Sequence, residues 1–155
     1  MSANFSIRPA TLSDLGSLAG LRHALWPEST AEEHGRELSG ILSGKPFGTL
    51  PLAILAAEAS DGILIGFLEV GLRSHADGCN PAHAVGYVEG WYVTDSDRRQ
   101  GVGAALLRAA EDWARAQGCR EIASDTQLTN TLSQRVHESL GFHIAERSIL
   151  YRKLL

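Results

Sequence analysis

The chain begins with a short alternation of apolar and polar residues, Phe5 to Arg8, that stops at Pro9. Alternation is the mark of an extended strand, and proline cannot donate the next ladder hydrogen bond. The period then changes. Leu15, Leu18, Ala19, Leu21 and Leu25 fall near one helical face behind the capping types Thr11 and Ser13, and Pro27 ends that helix while pushing Trp26 out of helical geometry. A second helix is expected over residues 31–42, closed by the breaker-rich "SGKPFG". "PLAILAAEA" and "ILIGFLEVGLR" flank the turn "SDG" and predict a hairpin. After the polar loop "SHADGCNPAH", "AVGYVEGWYV" predicts another strand, because β-branched and aromatic side chains suit a pleated surface.

The clearest helix follows Asp97. Val102, Leu106, Ala109, Trp113 and Ala116 repeat at four-three-four-three spacing, Glu111 stands one turn before Arg115, and Gly118 supplies a left-handed stop. "REIASDT" predicts a short buried strand. Asn130 or Thr129 then caps a helix with Leu132, Val136 and Leu140 expected inward and Gly141 at its end, and "FHIAERSILYRKLL" is expected to close as a strand. The order β-α-α-β-β-β-α-β-α-β predicts one α/β domain over residues 1–155, with a mixed, mostly antiparallel central sheet flanked by about four helices.

Composition narrows the function classes. With 155 residues, 44% hydrophobic and 21% charged, the chain has room for a real core. A net charge of −4 argues against sequence-independent nucleic-acid binding and suits a small cationic partner. No apolar run approaches the roughly 20 residues needed to span a bilayer, and "MSANFSIRPA" is not a signal peptide, so a cytoplasmic protein away from membranes is expected. Cys79 and Cys119 are far apart in sequence and the six histidines show no metal-type pairing, so neither a disulfide nor a metal site is expected. Cys119, just before a buried strand and without an evident base, reads as packing.

One run carries chemistry: "DRRQGVGAALL", Asp97 to Leu107. A strand ending near Val93, then Gly101 and Gly103 at the lip of a strong helix, suits an anion, because the first backbone N–H groups of a helix lack partners and its dipole is positive there. The run is not a G-x-x-x-x-G-K-[ST] loop, and Leu106 stands where a dinucleotide fingerprint needs its third glycine. Read alone, it serves equally as an anion cradle or as a charged turn with Arg98 and Arg99 solvated.

In context, "RRQGVG" resembles the acyl-CoA signature Q/R-x-x-G-x-G/A of the GNAT N-acetyltransferases, and the order of elements is that of the GNAT fold. "N-x-x-S-x-x-x-H-x-x-L-G-F", Asn130 to Phe142, is similar to the second cofactor-contacting helix of that superfamily. The resemblance implies acetyl-CoA as cosubstrate. Gly101, Val102, Gly103 and Ala104 would wrap its pyrophosphate together with Arg98 and Arg99. Trp91, Tyr92 and Val93 would hold the pantetheine and acetyl arm, and Asn130 would touch the same arm besides capping its helix. "LRHALWP", "VEGWYV", "CREIASDT", "SQRVHESLGF" and "ERSILYRK" together resemble the aminoglycoside 6′-N-acetyltransferases of the chromosomal Gram-negative type. That likeness implies Trp26 against a sugar ring, Glu89, Asp125 and Glu146 on the ammonium groups, further contacts from Ser29 and His75, and a homodimer. His75 stands where relatives carry a tyrosine.

The chemistry agrees with this assignment. An ammonium must lose a proton before it attacks a thioester, and acidic residues both gather a polycation and accept that proton, Glu89 first and Asp125 second. The backbone N–H near Val93 would polarise the acetyl carbonyl. His137, where many relatives place a tyrosine, would protonate the departing thiolate in a direct transfer. Two alternatives stay open: another small amine or a protein amine as acceptor, and a non-catalytic acyl-CoA sensor.

Overall fold

The computed structural model describes residues 4–45 and 50–155. Pro46, Phe47 and Gly48 of the breaker-rich stretch lie outside the described residues. Among those described, β1 (Phe5–Pro9), β2 (Leu52–Ala59), β3 (Leu64–Arg73), β4 (Val85–Val93) and β5 (Ile122–Ser124) form one sheet in chain order. Every neighbouring pair is antiparallel except β4 and β5. Helices α1 (Leu15–Leu25) and α2 (Ala31–Leu42) cover one face, α3 (Val102–Ala116) covers the other, and α4 (Thr131–Ser139) follows β5.

Both faces of the sheet are buried, which explains why "PLAILAAEA" does not alternate in polarity. Leu55, Ala57, Leu68, Val70 and Val88 pack on Leu106, Leu107 and Ala110 of α3, while Ile54, Ala56 and Phe67 pack on Leu18, Ala19 and Leu38 of α1 and α2. Local signals agree with this packing. The Thr30 hydroxyl accepts from the Glu33 backbone N–H at 3.2 Å, and the Glu33 carboxylate accepts from Thr30 N–H at 2.8 Å, a reciprocal cap that starts α2. Asp14 accepts both Arg8 Nη1 and Nη2 at 2.8 Å and Thr11 N–H at 2.8 Å, tying β1 to the 3₁₀ turn (Leu12–Asp14) that leads into α1.

Two features position the site. The register of β3 against β4 slips between Glu69↔Gly90 and Val70↔Val88, leaving Glu89 as the extra residue of a bulge. A bulge bends its strand and re-aims a side chain, and this one falls on the strand where chemistry was expected. Beneath it lies a buried ion pair. Arg22 of α1 approaches Glu69 of β3 at 2.8 Å from Nε to Oε1, an angle too bent for a hydrogen bond there, while Nη2 donates to Oε2 at 3.4 Å and Nη1 to Glu37 at 3.1 Å. Burial pushes the Glu69 carboxyl up to about 7 against the pull of Arg22.

The C-terminal part differs from expectation. Residues 142–155 form no strand, and Ile149, Leu150, Tyr151 and Leu154 are exposed. Of the expected inward face of α4, Leu140 packs against the α3 core while Leu132 and Val136 are open, 60% and 38% accessible. Apolar periodicity marks which side wants covering, but the sheet ends at the three-residue β5 and no described element of the same chain reaches over that side. Both cysteines, Cys79 and Cys119, are free thiols, and burial raises both.

Candidate active site

The strand β4 carries the site along its length. Thr94 N–H donates to Ile65 O at 2.9 Å, so Thr94 and, by alternation, Tyr92 face β3, while the backbone groups of Trp91 and Val93 point the other way. On that other side β5 pairs only Gly86–Val88 with Ile122–Ser124. Past Val88 the two strands part, and the N–H and C=O groups of Trp91 and Val93 line the gap. Arg98 Nε donates to Val93 O at 3.0 Å and its Nη2 meets Asp95 at 2.9 Å, so this arginine fastens the turn at the strand end.

The turn then delivers the chain to α3. Exposed Arg99 has a left-handed φ of 62° and Gly101, the residue before the helix, one of 83°, a conformation that favours glycine. No side chain caps α3, and its first internal bond is donated by Ala105 to Gly101 O at 3.0 Å. The N–H groups of Val102, Gly103 and Ala104 therefore begin the helix without intrahelical acceptors, and a Cβ placed on Gly101 meets nothing within 4 Å. An uncapped N-terminus beside open space and an arginine pair fits a pyrophosphate. The side-chain position of Gly103 faces the Trp91 indole at 3.6 Å, an ordinary packing distance, so the indole lies beside the first turn of the helix.

The residues expected on the acceptor side lie earlier on β4 and on the α1 face. Trp26, at the end of α1, turns the edge of its benzo ring to Gly90, where a Cβ would stand 2.5 Å from its Cη2. Arg22 lies 5.1 Å from its ring centroid, Phe67 meets it edge-on, and His34 Nε2 donates to its backbone oxygen at 3.0 Å. Next to Gly90, Glu89 accepts two hydrogen bonds from Arg73, 2.9 Å from Nε and 2.8 Å from Nη2. The Arg73 guanidinium lies 3.4 Å above the Tyr87 ring, and the Tyr87 hydroxyl donates to Asp125 at 2.7 Å. Burial and the bond to Asp125 push the Tyr87 phenol up, so it remains a donor. Glu89 and Asp125 thus belong to one ladder, Glu89–Arg73–Tyr87–Asp125.

His137 stands on the other side of the gap, edge-on to Trp91 at 5.4 Å and to Phe142 at 5.1 Å. Its Nδ1 lies 2.7 Å from the Ser133 carbonyl, which can only accept, so Nδ1 carries a proton and Nε2 pairs with the Ser124 hydroxyl at 2.8 Å. Asn130 caps α4 by accepting Ser133 N–H at 3.1 Å. The remaining expected residues are dispersed. Ser29 accepts from His23 through its backbone, His75 pairs with Asp77 at 3.4 Å in an exposed loop, and Glu146 is exposed. Ala145 stands where a Cβ on Gly78 would be, which brings the start of the C-terminal segment to the loop that carries His75. Arg73, Tyr87, Ser124 and the Arg22–Glu69 pair were not foreseen. The only trace of them was an acid in the middle of the apolar run "ILIGFLEVGLR" and an arginine at its end. Among the described residues no group of histidines, cysteines and acids stands ready for a metal, and no helix is long and apolar enough to cross a membrane.

Comparison with known proteins agrees with this geometry. Residues 18–142 match the acetyltransferase (GNAT) family. The aminoglycoside N(6′)-acetyltransferase type 1 of Klebsiella aerogenes is 44% identical over 155 residues, all of both chains. Among solved structures, AAC(6′)-Iy in complex with CoA superposes with a TM-score of 0.88 at 38% identity, covering 99% of this chain and 97% of that one. The same enzyme in complex with the bisubstrate analogue CoA-S-monomethyl-acetylneamine gives a TM-score of 0.87 at 38% identity, covering 97% and 99%. The chain belongs to the acetyltransferase (GNAT) family and, within it, to the type 1 aminoglycoside N(6′)-acetyltransferases.

Proposed function

We propose that the protein transfers the acetyl group of acetyl-CoA directly to the 6′-amino group of aminoglycosides, as an antibiotic-resistance enzyme. One observation carries the reading: Trp26, Glu89 and Asp125, from three separate stretches of sequence, gather on the part of β4 that leads into the strand gap and the uncapped start of α3. Bound acetyl-CoA supplies an acetyl group activated as a thioester. Val102, Gly103 and Ala104 N–H groups, with Arg98 and Arg99, hold the pyrophosphate, and the backbone of Trp91 and Val93, with Asn130, lines the path of the arm, the expected contribution of Tyr92 being taken up by its pairing with β3. From Glu89 to Val93 the strand spans ~13 Å, a distance that places acceptor and donor contacts end to end.

Glu89 and Asp125 draw in the polycation, Trp26 supports a sugar ring, and Ser29, His75 and Glu146 add outer contacts. Glu89 accepts the proton of the attacking ammonium, directly or through water, so that the amine lone pair is free to form the C–N bond. Val93 N–H steadies the negative charge that grows on the acetyl oxygen. As the C–S bond breaks, His137 in its imidazolium form gives its Nε2 proton to the thiolate through the Ser124 hydroxyl, which passes on its own proton and takes the one from Nε2, while Nδ1–H stays on the Ser133 carbonyl. A reaction that draws on acetyl-CoA belongs in the cytoplasm. Two copies of the chain pair through the open face of α4 and the apolar C-terminal segment.

Thiol release tests the function, with acetyl-CoA and kanamycin or tobramycin set against spermidine and lysine peptides. Drug-dependent turnover is expected. Its absence at millimolar drug would end the reading, and CoA binding without any acceptor turnover would make the protein a sensor. In the Glu89→Gln variant kcat should fall by about 10²-fold or more with CoA affinity kept. A near-normal rate would remove Glu89 from the mechanism.

A further inference from the structure

Arg73 is not needed for any step above, yet it lies at the centre of the acceptor site. Its guanidinium does two things at once. It makes a two-pronged hydrogen bond to both Glu89 oxygens, and it lies flat on Tyr87, the ring that donates to Asp125. These are the two kinds of contact an ammonium-bearing sugar makes in an acidic, aromatic site: charge on a carboxylate and a flat body on a ring.

We propose that Arg73 is a built-in stand-in for the acceptor, covering Glu89 and the Tyr87 face until the ammonium of the incoming substrate displaces it. The idea rests on the acetyltransferase reading above and deepens it by naming a residue that sets acceptor affinity. The exchange is cheap in charge, because one cation leaves Glu89 as another arrives. It is also cheap in energy. Arg73 and Glu89 side chains are 44% and 34% exposed, and ion pairs so open to water are weak. The guanidinium is tethered at the end of β3, so it competes at high local concentration and reduces the fraction of protein ready to bind. The unliganded protein is spared an unpaired carboxylate on the bulge, and Glu89 is released as an acceptor of protons only when an amine has taken the place of Arg73.

The test measures kanamycin binding calorimetrically without acetyl-CoA, together with KM and kcat of acetyl transfer, in the wild type, Arg73→Gln and Arg73→Lys. Arg73→Gln should lower both Kd and KM about five- to tenfold with kcat within about twofold of wild type. Arg73→Lys, which keeps the charge but loses the fork and the flat stacking, should fall between. Thermal melting and CoA affinity control for folding. An unchanged or raised Kd in a folded Arg73→Gln variant, or a fall in kcat at constant KM, would show that Arg73 orients Glu89 rather than competing for it, and would overturn the proposal alone. A wild type that releases no thiol with kanamycin would instead overturn the function on which it rests.

Discussion

Gly90 is the residue on which the acceptor site turns. It follows the bulge residue Glu89, and the absence of its side chain lets Trp26 lie directly on the β4 backbone. Alanine there would put a Cβ 2.5 Å from Trp26 Cη2 and 2.9 Å from Cζ2, too close for an indole already backed by Arg22 and Phe67. The ring must tilt away. Gly90→Ala should therefore cost about 1–3 kcal/mol of stability and lower kcat/KM for aminoglycoside by about tenfold or more, with CoA affinity unchanged. Steady-state kinetics beside a CoA titration checks this, and equal losses on both sides would mean that the whole strand had moved.

Among the elements, β1 and the turn into α1 show how a surface strand is anchored. Arg8 joins Asp14 and Glu58, so that β1, β2 and the 3₁₀ turn share one guanidinium. The paired Arg8 and the Thr11 N–H hold the Asp14 carboxyl down to about 2 from an ordinary 3.8. A carboxyl with a lowered native value stabilises the fold above its unfolded value and loses that contribution as pH falls toward the native one. With Arg8 one-third exposed, the contribution is about 1–2 kcal/mol. Asp14→Asn should therefore be less stable than wild type by that amount at pH 7 in urea unfolding, and the difference should shrink between roughly pH 4 and pH 2. A constant difference across that range would assign the loss to packing. Helix α3 presents the opposite design: it starts at left-handed Gly101 with no cap, and the stabilisation a serine or aspartate would give there is forgone at the end that faces the strand gap.

At the scale of the molecule, the apolar side chains left exposed concentrate after β5: Leu128, Leu132, Val136, Ile144, Ile149, Leu150, Tyr151, Leu154 and Leu155. Scattered exposed leucines are ordinary, but a helix face and the segment after it open together mark an interaction surface. A second copy of the chain is the occupant we propose for the part of the α4 face, Leu132 and Val136, that its own chain leaves open. Sedimentation of the wild type at micromolar concentration should give a dimer, and Leu150→Glu with Tyr151→Glu should shift it to the monomer. A monomeric wild type would refute the pairing.

Much of this protein was legible without coordinates. The helical and strand periods, Pro27 after Trp26, and the glycines around "RRQGVG" specified nearly every element, because those signals act between residues a few positions apart. The glycine turn into the uncapped start of α3 was legible for the same reason, since strand end, turn and helix start are contiguous in sequence. The acceptor side was legible only as a set of acids. That Glu89 sits on a bulge, that Arg73 occupies it, that Tyr87 holds Asp125, and that Arg22 reaches Glu69 beneath Trp26 depends on strand register and on which helix covers which face. The expected last strand failed on the same ground: alternation shows that a segment can pair, and only the tertiary structure decides whether the same chain offers it an edge. Local physics determined the elements and the uncapped glycine turn into α3, while long-range packing decided how the charges of Glu89 and Asp125 are paired.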